Sequence, residues 1–282
     1  MQSSEALPLP AEWPDGHKTR YTIALAVNAV LFVLAPLAIA LVLLSRDNAR
    51  AAFYSVAAAV LGSLICWVGY ETRLRRRTRT DPIVLHESGD GSRSLEVPYS
   101  SRLFLGYAAL TGAFAAVFTV AAFHAAASPD HTNGAIVWAA VAVLFASLPA
   151  LMLTGRFALG RIRLSPEGLY QRGWTFESFI PWSGINGVFP RHTDSPIVVV
   201  VGDENAPWQR RQITRLWRQD RLPKVRSGQR EVPMIVIPGK FLSVDPVLLY
   251  HLLGYYLENP GARAELGTEA GLRRARAAAF AG

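Results

Sequence analysis

Four apolar stretches in the first half of the chain, residues 21–44, 51–70, 103–127 and 135–153, constrain its fold more than any other feature. Each is close to the ~20 residues that a helix needs to cross ~30 Å of hydrocarbon. In that solvent every backbone N–H and C=O must be paired within the protein, and a helix does so without a neighbour. The pattern predicts a four-helix transmembrane domain at 21–157, preceded by a polar tail at 1–20. The first stretch reads as a retained helix, since it is longer than the core of a signal peptide and follows a long polar segment. Hydrophobic residues make up 51% of the chain, and their excess lies before Gly155. Beyond it, Arg, Pro and Gly mingle with alternating patterns, as in a domain that faces water.

The basic residues give an orientation. Lys18, Arg20, Arg73, Arg75, Arg76, Arg77, Arg79, Arg93, Arg102, Arg156, Arg161 and Arg163 fall on one side of the four spans, and only Arg46 and Arg50 fall on the other. The positive-inside rule then puts both termini and the loop 71–102 in the cytoplasm. An even number of spans requires the same. Arg far outnumbers Lys and Ala is abundant, a coding bias of GC-rich bacterial genomes, so the expected location is a bacterial plasma (inner) membrane.

Within the spans no ionisable residue sits at mid-depth, where one would mark an ion or substrate path. Glu71 is at a cytoplasmic end and His124 near the outer one. Asn28 and Thr111 are expected to hydrogen-bond between helices, and Pro36 and Pro149 to kink theirs. Rows of small residues (Ala58 and Gly62; Ala108, Gly112 and Ala116; Ala142, Ala146 and Ala150) suit close helix packing and a homo-oligomer. The single cysteine, Cys66, excludes an intrachain disulfide.

Arg73, Arg75, Arg76, Arg77 and Arg79 form a membrane-proximal basic anchor, which also suits anionic lipid headgroups. Further along the same loop, residues 83–86 and 94–98 read as a hairpin around the turn-rich 87–93. After the fourth span, residues 161–164 alternate, 165–168 (Ser-Pro-Glu-Gly) suit a type I turn, and 169–173 resume the strand. Extended segments at 176–182, 185–189, 196–201 and 234–237 follow. From Asp245 the period lengthens to that of a helix, with Ser243 or Asp245 as its cap and Pro260 at its end. Residues 267–282 read as a tail that forms a short helix or frays.

The words Leu164-Ser165-Pro166-Glu167-Gly168-Leu169 and Ile180-Pro181-Trp182-Ser183-Gly184-Ile185, with the segment 252–266, resemble bacterial pleckstrin-homology (PH)-like domains, as found in actinobacterial membrane proteins. The resemblance covers 161–266. It implies a cytoplasmic β-rich domain at 158–266, a curved antiparallel sheet with a C-terminal helix over one open end, and Trp182 in its core. The chain departs from that pattern at 203–232, an Arg-rich insertion. There Arg210, Arg211, Arg215, Trp217, Arg218, Arg221, Lys224 and Arg226 are the candidate residues for binding anionic lipid or a protein partner. If helical, the insertion would present Ile213, Leu216 and Trp217 on one side. A solvated charged loop is the alternative, and nucleic acid is not expected.

No nucleotide-binding loop, metalloprotease motif or nucleophile elbow is present, and His192 with Asp194 is the nearest approach to an acid–base pair. The reading is therefore a membrane-anchored binding or scaffolding protein, with no enzyme activity and no cofactor expected. The alternative is an oligomeric channel or the accessory subunit of a transporter.

Overall fold

A computed structural model describes residues 7–13, 19–75, 77–89, 91–128, 132–217, 226–227 and 230–280. The chain divides into two compact units: a helical unit of residues 16–75 and 102–157, and a β unit of residues 1–15, 76–101 and 158–282.

Among the described residues, the helical unit has four helices long and apolar enough to cross a membrane. The first runs from Thr19 to Leu44 as α1 (Thr19–Ala29), a π-helical turn (Val30–Leu34) and α2 (Ala35–Leu44). The others are α3 (Ala49–Arg73), α4 (Ser101–Ala126) and α5 (Thr132–Leu153). Asn48 caps α3, its side chain accepting from the Ala51 N–H at 3.1 Å. The π turn lies just ahead of Pro36, which has no N–H to give the Phe32 carbonyl. That carbonyl faces Gly62 of α3 so closely that a Cβ there would lie 2.1 Å from its oxygen. Of the small-residue rows, Gly62 is the member that marks a tight crossing. Ala58, Ala146 and Ala150 are exposed, and a Cβ on Gly112 would meet nothing within 4 Å. Aromatic stacking joins α4 to α5, with Phe114 and Phe145 at 4.8 Å and Phe118 and Trp138 at 5.4 Å.

Two expectations about polar residues change. Asn28 Nδ2 donates to the Ala24 carbonyl and Thr111 Oγ1 to that of Tyr107, both at 2.8 Å. These bonds stay within their own helices, because a carbonyl one turn back is already in reach. A hydrogen bond that does cross helices joins the Tyr54 hydroxyl to His124 Nδ1 at 2.8 Å.

In the β unit, the hairpin of the loop is β1 (Val84–Glu87) and β2 (Arg93–Pro98). After α5 come β3 (Arg161–Leu164), β4 (Gly168–Arg172), β5 (Phe176–Pro181), β6 (Ile185–His192) and β7 (Pro196–Gly202). The insertion holds β8 (Gln209–Gln212), β9 (Arg226–Ser227) and β10 (Arg230–Glu231), and β11 is Met234–Pro238. The strands form an antiparallel sheet in the order β1-β2-β3-β4-β5-β8, a three-stranded sheet β11-β7-β6, and the small pair β9-β10. Helix α6 (Pro246–Glu258), capped by Asp245 onto the Val247 N–H, packs on β6 and β7 and buries Leu248, Leu249, Leu252, Leu253 and Tyr256. Trp182 is buried as expected, in a 3-10 turn after β5, with its indole N–H on the Ser165 carbonyl at 2.7 Å. Trp174, Phe241 and Tyr99 form the aromatic centre of the core.

This unit is larger than the 158–266 that the sequence suggests. Strand β2 pairs with β3, placing Leu95 opposite Leu164 and Val97 opposite Ile162, all four fully buried. Gly160 is required beside them, since a Cβ would lie 2.2 Å from the Tyr99 ring. The N-terminal segment also docks: Trp13 is 2% exposed and gives its indole N–H to the Arg191 carbonyl at 2.9 Å. His251 Nε2 meets the Pro8 carbonyl at 2.8 Å. Past residue 266 the chain takes the first of the two forms expected of it, the short helix α7 (Glu269–Ala277), which buries Leu272 and Ala275. Arg276 donates to the Ile83 carbonyl at 2.7 Å.

Between α6 and α7, Glu265 accepts from the Tyr256 hydroxyl at 2.9 Å and from Arg274 Nε at 2.5 Å. Burial pushes the Glu265 carboxyl up, but the bonds from Arg274 and Tyr256 outweigh it and hold the group below its usual range. Burial, then the bond to Glu265, raises the Tyr256 phenol.

Leu95→Ala should destabilise the β unit by about 3 kcal/mol, the range of buried leucine truncations, as read by denaturant melts. Val84→Ala, on the same hairpin but 40% exposed, should cost under about 0.5 kcal/mol. Because the Glu265 pKa is depressed in the folded state, its contribution is present above the usual carboxylate value of 4.5 and lost as pH falls through the lower folded value. Protection of the α7 amides from hydrogen exchange, taken relative to their intrinsic rates, should fall over that acidic window, and Glu265→Gln should remove that pH dependence.

Candidate functional site

The candidate residues of the insertion divide at β8. Residues 208–212 hold no period-2 pattern, yet four of them form a strand because β5 offers its free edge. Phe176 pairs with Gln212, Glu177 with Arg211, Ser178 with Arg210 and Phe179 with Gln209. The strand is fixed at both ends. Before it, Trp208 Nε1 donates to Ser178 Oγ at 2.7 Å. After it, the Ile213 N–H and Gln212 Nε2 both reach the Thr175 carbonyl, at 2.8 and 2.9 Å.

Adjacent strand residues point to opposite faces, so Arg210 and Arg211 serve two surfaces of the rim. The Arg210 guanidinium lies 4.8 Å from the Trp208 ring centroid. Arg211, with its side chain 75% exposed, is 3.8 Å from Glu177, a carboxylate that also faces Arg172 at 3.6 Å. One carboxylate thus faces two guanidiniums at this corner of the sheet. At 3.8 Å and high exposure the Arg211 contact is a weak one. Arg215 is exposed and Leu216 is 54% exposed.

The helical arrangement of Ile213, Leu216 and Trp217 does not occur. The backbone is extended through Gln212 and turns at Trp217, whose φ is +53°. Backbone pairing with β5 holds the preceding residues in the extended form, and that overrides the apolar spacing. Arg218, Arg221 and Lys224 lie outside the described residues, and Arg226 begins the short strand β9.

The membrane-proximal arginines are engaged in diverse ways. In the helical unit, Arg73 stacks on Tyr21 at 5.2 Å, and Arg75 grips the buried Glu71 at 2.6 Å. In the β unit, Arg77 donates to the Lys240 carbonyl at 2.8 Å and Arg79 pairs with Asp81 at 2.7 Å. Arg76 lies outside the described residues. Arg75 and Arg77 thus have structural roles, and the cluster does not act as five solvated charges.

Elsewhere, His192 and Asp194 are exposed, at the turn from β6 to β7. Among the described residues no three His, Cys, Asp or Glu side chains are grouped to hold a metal ion. Sequence reasoning does not find Ser178 or Thr175, the groups that seat the basic strand, because their role arises from strand pairing across the sheet. The aromatic Trp208 directly before the arginines is the one local signal. No protein-family model, curated protein or solved structure matches this chain.

Proposed function

We propose that this chain is a multi-pass protein of a bacterial plasma membrane that presents its β unit, a PH-like module, to the cytoplasm as a binding and scaffolding surface. Support for the module comes from its two sheets, β3-β4-β5 with added strands and β6-β7-β11, and from α6 packed on the second. The asymmetry of basic residues in the loops supports the cytoplasmic side.

The observation that carries the reading is the basic rim of β8. Exposed Arg210 and Arg211 are set on a strand whose position is fixed by backbone pairing and by the Trp208–Ser178 bond, with exposed Arg215 and Leu216 beyond. A rigid strand edge spares its ligand much of the ordering cost that a free loop would impose. Its chemistry selects an acidic counterpart, either an anionic lipid headgroup or an acidic face of a protein. The Trp208 ring and Leu216 add apolar contact beside the charges.

A photo-crosslinking residue at Gln209, carried by the full-length protein in native membranes, tests this. The expected result is a discrete lipid or protein adduct that falls roughly tenfold or more in Arg210→Glu/Arg211→Glu, given ~1 kcal/mol for each basic residue at an anionic surface. An adduct insensitive to charge reversal, or none, would remove the proposal.

A further inference from the structure

The helical unit holds a groove that suits one kind of occupant. It lies between α1 and α3, has a volume of about 160 Å³, and is walled by Ala24, Leu25, Ile65 and Cys66. Its size is close to that of engineered protein cavities that take up a benzene ring. Gly69 keeps it open, since a Cβ there would already be 3.3 Å from Leu25 Cδ1.

One end of the groove is cationic. Tyr21 and Arg73 form its lip. The Arg73 guanidinium lies 5.2 Å from the Tyr21 ring centroid, and that of Arg20 lies 5.1 Å from the same centroid. Arg20 is exposed, and among the described residues none that lines the groove is a carboxylate. An apolar trough that leads to two arginines around one interfacial tyrosine has the polarity of a phospholipid with a negatively charged head. A free anion would leave the apolar wall unused. A zwitterionic lipid would bring its own cation beside these two guanidiniums.

We infer that this groove holds the headgroup-proximal part of one acyl chain of an anionic phospholipid, with its phosphate at Arg20 and Arg73, in the leaflet on the side of the first residues of α1. The inference rests on the membrane reading above, and it is separate from the rim at β8. Arginine is suited to the lip, because its planar fork binds phosphate oxygens in pairs. The arrangement also gives the first span a fixed partner on α3 beyond the Gly62 crossing.

Native mass spectrometry of the purified full-length protein, with phosphatidylglycerol and phosphatidylcholine supplied in equal amounts, tests the site. The wild type should retain phosphatidylglycerol roughly tenfold or more over phosphatidylcholine, from ~1 kcal/mol per arginine. Arg20→Gln/Arg73→Gln should bring the two lipids near parity. Ala24→Trp, a change at an exposed wall position that leaves both charges in place, should lower retention of either lipid. Circular dichroism and the size-exclusion volume establish that each variant is folded. If the preference survives both changes in folded variants, the site is overturned and the membrane reading stands. If alkaline carbonate extracts the wild-type protein from membranes, both fall.

Discussion

The pairing of β2 with β3 is the contact on which the rest of the molecule depends. It joins the loop between α3 and α4 to the chain that follows α5, with Leu95, Val97, Ile162 and Leu164 sealed in one core. Two long apolar helices separate these strands in sequence, so the sheet closes across a long stretch of chain. The bridge from Tyr99 to Leu242, and the bonds from Ser243 to the Pro98 carbonyl, fasten the same strand to the segment ahead of α6. The N-terminal segment joins the same unit through Trp13 and Pro8. Three stretches of chain, divided from one another by pairs of helices, thus meet in one β unit. If the helices cross a bilayer, all three must lie on one side of it, a conclusion that follows from packing and needs no count of charges.

Stability in this unit comes from burial more than from its many ion pairs. Surface contacts such as Arg79–Asp81 are exposed on both partners and contribute little. The pairs that matter are shielded and hydrogen-bonded: Glu265 with Arg274 and Tyr256 at the α6–α7 junction, and Arg163 with Glu96 across β3 and β2 at 2.7 Å. They fix which segment docks where. The rim at β8 differs, since its arginines are placed by backbone pairing while both residues are exposed. That division leaves the rim exposed without loosening the core.

Much of this fold is legible in the sequence because single-segment physics decides it. The four helices follow from length and hydropathy alone, β3 and β4 from short-range alternation and turn chemistry, and β7 from its run of β-branched residues. The boundaries of the β unit are not legible, because the N-terminal segment, the 84–98 hairpin and α7 join it through contacts of long sequence separation. Trp13 sits in a Pro-rich polar stretch with no periodicity to show that it docks. At the candidate site, the charges of Arg210 and Arg211 are plain in the sequence while their geometry is not. The Ile213, Leu216 and Trp217 spacing suggests a helix, but the edge of β5 captures the preceding residues as a strand. An edge strand with both faces exposed has no buried side to impose alternation.

Sided labelling tests the shared location of these segments most directly. In a Cys66→Ser background, single cysteines at Leu9, Glu87, Glu258 and Ala127 would be probed with a membrane-impermeant maleimide in intact cells and in inverted vesicles. The first three positions should react together in inverted vesicles alone, and Ala127 in intact cells alone. Reaction of position 9, 87 or 258 on the side opposite to the other two would contradict a single β unit built from all three stretches.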